Sequence, residues 1–216
     1  IEHIEKTCPE TEIYHDLLDL DGKHILELGC GSAMITRDIA TAGPDRRVTA
    51  LEVDEQAHEK NLQITDLPNV QFGLAGAQDI PLDDASVDVV FMFKSLHHVP
   101  LELMAQGLRE IHRVLRPGGS FLIFDLRRDL AMPFWLLLWF ATHVVVPPAL
   151  RRAKEPLASR DASYTPAEAA TLVSQSQLTG WRLDIVSESR FKQIEEESMA
   201  ALSRLSADEE VSRSLY

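Results

Sequence analysis

The sequence predicts an α/β fold in which helices cover a doubly wound, mostly parallel sheet. Short apolar runs alternate with helical patterns between about residues 24 and 125, which is typical of strand–helix–strand units. The run Val87–Phe93 is almost entirely apolar, as expected for a central parallel strand that is buried on both faces. The first apolar run passes through a glycine turn directly into a helical pattern, which is how sheets of this kind begin.

Length and composition fit a globular chain with one sizeable core. The chain has 216 residues, of which 45% are hydrophobic and 25% are charged. Its net charge of −13 argues against general nucleic-acid binding, which requires neutralisation of phosphates. Two cysteines, Cys8 and Cys30, indicate neither a disulfide framework nor a cysteine-based zinc site, so we predict no metal centre. No secretory signal is visible at the start, and we expect a cytoplasmic location.

The first half of the chain is predicted to alternate three helices with three strands. Asp21-Gly22 and Gly43-Pro44 are stop signals for the first two helices. The predicted elements are a helix over about 10–20, a strand over 24–28, a helix from Met34 to about Gly43, a strand over 48–53, a helix over 55–65 and a strand over 69–74.

The second half adds the central strand and further strand–helix units. An amphipathic helix over 101–115 follows Val87–Phe93 and ends at Arg116-Pro117-Gly118-Gly119. Thr165, Pro166 and Glu168 form the pattern of a capping box at the start of another helix. The remaining predicted elements are a strand over 120–125, strands over 181–187 and 190–194, which bring the sheet to seven strands, and an acidic helical tail over 199–216.

The glycine turn Gly29-Cys30-Gly31 is the first candidate for a binding site. Glycines there allow a backbone to approach a ligand closely, and they adopt angles that other residues avoid. Glu27 lies at the end of the preceding strand, where ligands of parallel sheets bind. Glu52 ends the next strand about 20 residues further on, a spacing that suits a carboxylate accepting hydrogen bonds from both hydroxyls of a ribose. These features predict a nucleotide-type ligand.

An uncharged stretch over 132–148 interrupts the alternation of strands and helices. It is rich in Trp, Phe, Leu and Val, and arginines and a lysine flank it. Three interpretations stay open: a lid or a buried or dimer-forming helix, a segment that contacts a membrane surface, and a marginally short membrane-spanning helix. We predict a single domain over 1–216, in which 127–163 is a cap or lid insertion.

With these motifs placed, the sequence resembles the class I S-adenosylmethionine-dependent methyltransferases. Within that class it is most similar to the branch that includes the ubiquinone and menaquinone methyltransferases. The resemblance covers about Gly22 to Phe124 and 164–187, and it includes the turn Leu115-Arg116-Pro117-Gly118-Gly119 and the strand tip Ser95-Leu96-His97-His98-Val99. A nicotinamide-binding Rossmann protein shares the glycine turn and the acidic second strand, but not these two motifs. The resemblance implies a seven-stranded, Rossmann-like methyltransferase fold with S-adenosylmethionine as its cofactor.

The resemblance also implies roles for individual residues. Residues of the turn would hold the methionine end of the cofactor, Glu52 would bind its ribose, and a second group would line its adenine end and sulfonium. The turn residues are Glu27, Gly29, Cys30 and Gly31; the second group comprises Val53, Ala77, Gln78, Asp79, Lys94, Ser95 and His98. Two positions depart from the family pattern: Ala33 replaces the third glycine of the turn, and Gly76 replaces an acid that commonly lies near the adenine amino group.

The candidate catalytic residues are His97, His98 and Asp125. A methyl group on a sulfonium is already electrophilic, so the protein must align an acceptor and exclude water. A general base helps only where the acceptor carries a proton of high pKa, and a neutral imidazole can accept that proton near pH 7. Packing roles for these side chains stay open as the alternative.

The composition of the stretch over 132–148 predicts a small, hydrophobic methyl acceptor. A homodimer or peripheral membrane contact through the same stretch is also compatible with the sequence. The alternative function is a protein that binds S-adenosylmethionine without transferring its methyl group. The strand tips and the turn therefore predict the cofactor, whereas only the apolar stretch bears on the acceptor.

Overall fold

The computed structural model describes residues 6–8, 10–128, 160–183 and 186–188. These residues belong to two compact units, of which the larger comprises Thr11–Arg128 and Ala162–Arg182. The apolar stretch over 132–148, the predicted strand over 190–194 and the predicted tail over 199–216 lie outside the described residues. Within the described part of the chain, no helix has the length and apolar character needed to cross a membrane.

The larger unit contains five parallel strands, in agreement with the predicted doubly wound sheet. The strands are β2 (His24–Leu28), β3 (Arg47–Glu52), β4 (Val70–Leu74), β5 (Val87–Phe93) and β6 (Leu115–Phe124). Their order in the sheet is β4-β3-β2-β5-β6. The chain thus starts in the middle of the sheet, builds one side through β3 and β4, and then returns to build the other through β5 and β6. This reversal opens a crevice at the carboxyl ends of β2 and β5, which is where sheets of this kind bind ligands.

Helices flank the sheet at most of the predicted positions. They are α1 (Glu10–Leu17), α2 (Met34–Thr41), α3 (Glu55–Asn61), α4 (Leu101–Val114) and α5 (Pro166–Ser174), with a short 3₁₀ helix over Leu96–His98. The predicted capping box is confirmed, since Thr165 and Glu168 exchange hydrogen bonds across the first turn of α5. The main differences from the prediction are shorter ends, which is the usual uncertainty of helix boundaries.

Alternation along the strands divides the core between the two faces of the sheet. On β2, Ile25 belongs to a cluster that includes Ile35 and Ile39 of α2. Its neighbours Leu26 and Leu28 belong to a second cluster, which includes residues of α4. Successive side chains of a strand point to opposite faces, so one short strand supplies both cores. Packing on both faces therefore fixes the position of β2 and of the turn that begins at its end.

The predicted turn Arg116-Pro117-Gly118-Gly119 lies within the bounds of β6. β6 begins at Leu115, and its register against β5 shifts between Val87 and Val89, whose partners are Leu115 and Ser120. The intervening Arg-Pro-Gly-Gly segment forms a bulge in which Gly118 adopts a φ of +81°. Beyond the bulge the register is regular, and Phe93 pairs with Phe124. That register places the residues after β5 and those after β6 side by side.

The smaller unit differs from the prediction. Its described residues include β1 (Lys6–Cys8) and β7 (Val186–Glu188), which pair in parallel as a separate two-stranded sheet. The predicted strand over 181–187 is therefore displaced, since 181–183 lie outside any strand. Strands of three residues are too short to show an alternation of side chains, so the sequence pattern did not reveal β1. The predicted total of seven strands in one sheet is not confirmed.

Candidate cofactor and active site

Two buried carboxylates lie beside the glycine turn at the carboxyl end of β2. Glu27 and Glu52 are 2% and 7% exposed. In the described part of the chain, neither forms an ion pair with a lysine, arginine or histidine side chain. Burial of acidic groups without a cation is costly, and it marks a site that suits a positively charged ligand.

The environment of Glu27 shifts its titration strongly. Burial raises the pKa of this carboxyl group to about 7, and the negative charge of Glu52 acts in the same direction. The hydroxyl of Thr36, on α2, donates a hydrogen bond to Glu27 Oε2 and partly offsets the shift. The thiol of Cys30 is affected similarly, since burial raises its pKa too. Glu27 is therefore close to half-ionised near neutral pH before any ligand binds.

Glu52 is held by backbone amides. Its Oε1 accepts hydrogen bonds from the N–H groups of Val53 and Asp54 at 2.8 and 3.0 Å, and its Oε2 accepts one from Gly31 at 2.6 Å. The acidic end of β3 therefore contacts the glycine turn directly. Val53 follows with a side chain that is 64% exposed, which leaves an apolar surface beside the carboxylate.

Close approach of two strand tips requires glycine at position 29. A Cβ there would lie 2.6 Å from the Cβ of Ser95, and Gly29 has a φ of +77°. Ser95 is buried, and its hydroxyl donates to the carbonyl oxygen of Leu28 at 2.7 Å. Ser95 therefore lies where the prediction placed it, at the tip of β5, but its hydroxyl bonds the backbone of β2. Lys94, beside it, has a φ of +52°, and its N–H donates to Phe124.

The structure shows the surroundings of the two positions that depart from the family pattern. Ala33 adopts the left-handed region at a φ of 57° directly before α2, where glycine is favoured, and it is 1% exposed. At position 76, a Cβ would lie 2.3 Å from Oε1 of Gln78. The amide of Gln78 therefore takes the space that a side chain at Gly76 needs. Ala77 is buried, and Asp79 is exposed.

His97 and Asp125 form a pair across the ends of β5 and β6. Their Nδ1 and Oδ1 atoms are 2.6 Å apart, and the side chains are 3% and 11% exposed. Asp125 also accepts hydrogen bonds from the N–H groups of His97 and Leu126, at 3.0 and 2.7 Å. Because an ionised carboxylate only accepts hydrogen bonds, this contact favours the imidazole tautomer with its proton on Nδ1, in which Nε2 is an acceptor. The ring of His98 lies 4.0 Å from that of His97, between centroids, and His98 is exposed.

The site also contains two side chains that no motif singled out. Thr36 bonds Glu27, and Asn61, the last residue of α3, donates to the carbonyl oxygen of Gly31 at 2.9 Å. Both are buried polar residues. A helical spacing signal places such residues on a buried face but says nothing about the backbone group that they meet, so the sequence offered no sign of these contacts.

Comparison with known proteins agrees with this arrangement. A family model described as a methyltransferase domain matches residues 26–123, which contain the glycine turn, Glu52 and the tip of β5. Over this segment the chain is similar to class I S-adenosylmethionine-dependent methyltransferase domains. The match ends before Asp125 and before the uncharged stretch over 132–148.

Curated relatives share this part of the chain. A fatty-acid O-methyltransferase of Mycolicibacterium smegmatis is 31% identical over 127 residues, which are 57% of this chain and 46% of the relative. A phthiotriol/phenolphthiotriol dimycocerosates methyltransferase of Mycobacterium tuberculosis is 33% identical over 125 residues, which are 55% of this chain and 43% of the relative. The matches thus span somewhat less than half the length of these two relatives.

A solved structure supports the fold over a larger share of the chain. An S-adenosylmethionine-dependent methyltransferase from Aquifex aeolicus superposes with a TM-score of 0.58 and 19% sequence identity, covering 80% of this chain and 81% of that one. At this identity the likeness concerns the fold, and it agrees with the predicted Rossmann-like methyltransferase architecture.

The residues of the domain fit the cofactor of the family. S-adenosylmethionine carries an ammonium group, a sulfonium and a ribose with two hydroxyls. Glu27 and Glu52 supply buried negative charge without a cationic partner in the described residues. Apart from its chain neighbours, no described residue has an atom within 4 Å of the position that a Cβ at Gly31 would take. The two carboxylates and the open side of the turn therefore suit a cationic nucleoside. An anionic dinucleotide would be repelled by these carboxylates.

Proposed function

We propose that this protein transfers the methyl group of S-adenosylmethionine to a small hydrophobic acceptor. The observation that carries the proposal is the pair of buried carboxylates, Glu27 and Glu52, at the glycine turn of a methyltransferase domain. A carboxyl group with the raised pKa of Glu27 gains most from a ligand that brings a positive charge.

In this proposal, the tips of β2 and β3 hold the cofactor. Glu27 binds its ammonium group, and Glu52 binds its ribose. The exposed side chain of Val53 packs against adenine, and the amide of Gln78, which can both donate and accept, binds the edge of that ring. Lys94 and Ser95 fix the tip of β5 near the sulfonium. When bound, the cofactor supplies a methyl group that is ready for nucleophilic attack.

His97 is the proposed general base for acceptors that carry a hydroxyl group. Asp125 holds the tautomer of His97 in which Nε2 can take up a proton, and it stabilises the imidazolium that forms. His98 is exposed beside it and is placed to contact the acceptor. For an acceptor that is already ionised, such as a carboxylate, the pair serves only to orient the substrate.

Two observations favour a hydrophobic acceptor. The uncharged stretch over 132–148 follows β6 and Asp125 in the sequence. The relatives are named for a fatty acid and for dimycocerosate lipids. We therefore propose a lipid-like hydroxyl or carboxyl acceptor. Contact of 132–148 with a membrane surface or with a second copy of the chain, and a cytoplasmic location, remain expectations from the sequence.

The test is a methyl-transfer assay on two series of acceptors. S-adenosylmethionine labelled in its methyl group is incubated with the protein and with fatty acids or fatty alcohols of increasing chain length, in parallel with small polar alcohols and acids. We expect transfer that increases with chain length. Transfer to the polar series alone would contradict the hydrophobic acceptor, and any transfer excludes a protein that only binds the cofactor.

Histidine variants test the proposed base. With an alcohol acceptor, His97→Asn should lower kcat by roughly 100-fold or more, the usual contribution of a general base, and leave the affinity for cofactor product nearly unchanged. His112→Asn, at an exposed position on α4, is the matched control and should retain full activity. Equal activity of the two variants would remove His97 from the mechanism.

A further inference from the structure

Asn61 has a buried side-chain amide that contacts the glycine turn Gly29-Cys30-Gly31. It is the last residue of α3 and is 2% exposed. Its Nδ2 donates to the carbonyl oxygen of Gly31 at 2.9 Å and lies 3.5 Å from Sγ of Cys30. No described side chain other than Asn61 donates to this carbonyl oxygen.

Gly31 is thereby held on both of its peptide groups. Its N–H donates to Oε2 of Glu52 at 2.6 Å, and its carbonyl oxygen accepts from Asn61. The preceding amides of Gly29 and Cys30 both donate to the carbonyl oxygen of Leu51, at 2.8 and 3.1 Å. The whole turn is therefore bonded to the end of β3 and to the end of α3.

These hydrogen bonds hold Gly31 in one backbone conformation, although a free glycine can adopt many. Gly31 has a φ of +53°, and glycine populates positive and negative φ about equally when unrestrained. The space beside its Cα is open. A ligand that packs against this open side needs both flanking peptide groups to keep their orientation, so their hydrogen-bond partners contribute to its affinity.

Ligand binding itself competes for one of the two partners. The carboxylate of Glu52 already accepts three backbone hydrogen bonds and offers about four lone-pair positions. Oε1 already accepts two hydrogen bonds and Oε2 accepts one, from Gly31. The two hydroxyls of a ribose need two positions, so they compete with the N–H of Gly31 for Oε2. The bond from Asn61 does not involve Glu52, and it can hold Gly31 throughout binding.

We propose that Asn61 is a positioning residue that keeps the glycine turn in the conformation that accepts the cofactor. The inference rests on the proposed function, because it concerns the same binding site. It predicts that affinity for the cofactor depends on the hydrogen-bond donor at position 61, beyond any effect of this residue on stability.

The test compares the buried Asn61 with the half-buried Asn69 by isothermal titration with S-adenosylhomocysteine. Asn61→Leu keeps the size of the side chain and removes its donor. Asn69→Leu is the matched control, because Nδ2 of Asn69 also donates to backbone carbonyl oxygens, those of Ala40 and Arg46, both at 2.9 Å. We expect Asn61→Leu to weaken binding about tenfold or more, as expected for an unsatisfied backbone carbonyl, and Asn69→Leu to lower stability without changing affinity.

A second readout needs no ligand. Hydrogen exchange of the Gly31 amide, followed by NMR, should be faster in Asn61→Leu than in the wild type and unchanged in Asn69→Leu. If Asn61→Leu does not fold, Asn61→Ala, which leaves room for a water molecule, should still weaken binding severalfold.

The outcomes separate the two proposals. Wild-type affinity in a folded Asn61 variant would overturn the inference about Asn61 and leave the proposed function standing. Absence of binding by the wild-type protein would overturn the proposed function, and the inference would fall with it.

Discussion

Burial makes the carboxyl group of Glu27 titrate differently from that of a free glutamate side chain. Burial raises its pKa to about 7, and the neighbouring charge of Glu52 adds to the effect. In the proposed binding mode the cofactor's ammonium group favours the ionised carboxylate, so we expect binding and deprotonation of Glu27 to be linked. The resulting dependence on pH is a direct consequence of the arrangement at the turn.

We predict that binding of S-adenosylhomocysteine releases a proton from Glu27 between about pH 6 and pH 7. Titration calorimetry in buffers of different ionisation enthalpy measures this release. In Glu27→Gln the release should disappear and the affinity should fall. Proton release of the same size in the variant would show that another group is responsible.

The same residue predicts a trend in stability. A carboxyl group with a raised pKa stabilises the fold while it is protonated, and this contribution is lost as the pH rises from about 4.5, its ordinary pKa, through about 7. Without ligand, the free energy of unfolding of the wild type should therefore decrease over this range relative to that of Glu27→Gln, by about 3 kcal/mol. Denaturant unfolding at pH 5 and pH 8 measures the difference, and parallel pH profiles of the two proteins would contradict the account.

Sequence reasoning identified single residues of the site better than the contacts between them. Glu27 and Glu52 follow from their place at strand ends, which a motif specifies. His97 and Asp125 were also candidates, but their pairing depends on the register of β5 against β6, which includes a bulge. Asn61 was missed because its role depends on where α3 ends and which carbonyl group lies there.

At the scale of elements, the site depends on how closely the turn after β2 approaches the tip of β5. Gly29 and Ser95 are in contact there, with no space for a Cβ at position 29. Both strands are central and buried, so neither tip can withdraw without disturbing the core on both faces.

We predict a favourable coupling between substitutions at these two positions. Gly29→Ala should lower the free energy of unfolding by about 3 kcal/mol, since it adds a clash and a side chain at positive φ. Ser95→Gly removes the clashing atoms but also the bond to Leu28, and it should cost less. In a double-mutant cycle the two changes together should cost clearly less than their sum. Additive effects would show that the contact is not the reason for glycine.

The capping box of α5 provides a prediction for an element outside the cofactor site. Thr165→Ala removes the acceptor for the N–H of Glu168 and should lower the free energy of unfolding by about 1 kcal/mol. Thr165→Ser keeps the cap and should cost much less. Affinity for S-adenosylhomocysteine should be the same in both variants, and a change in affinity would indicate that α5 contributes to the site.

Local signals of this kind are the part of the fold that sequence predicts best. The cap of α5 and the strand Val87–Phe93 depend on neighbouring residues and were predicted at the observed positions. The pairing of Lys6–Cys8 with Val186–Glu188 joins segments that are far apart in the sequence and too short to show a pattern. For that reason the number of strands in the main sheet was not predictable.

At the scale of the whole molecule, strand order creates the site. In the strand order β4-β3-β2-β5-β6, the direction in which the chain builds the sheet reverses between β2 and β5. The glycine turn and the tip of β5 lie at that point. Glu52, at the end of the neighbouring strand β3, lies beside the glycine turn. The net charge of −13 is compatible with a small cationic cofactor and disfavours a polyanionic substrate. We therefore predict that S-adenosylmethionine binds in this crevice.

Isothermal titration of S-adenosylhomocysteine into three proteins tests this prediction. Wild type should bind one equivalent, and Glu52→Gln should bind at least about tenfold more weakly, since a charge-assisted hydrogen bond to the ribose is lost. Asp54→Asn removes the exposed negative charge two residues further on and keeps the cap of α3, so it should bind like wild type. Absence of binding by the wild type, or equal binding by Glu52→Gln, would contradict the account.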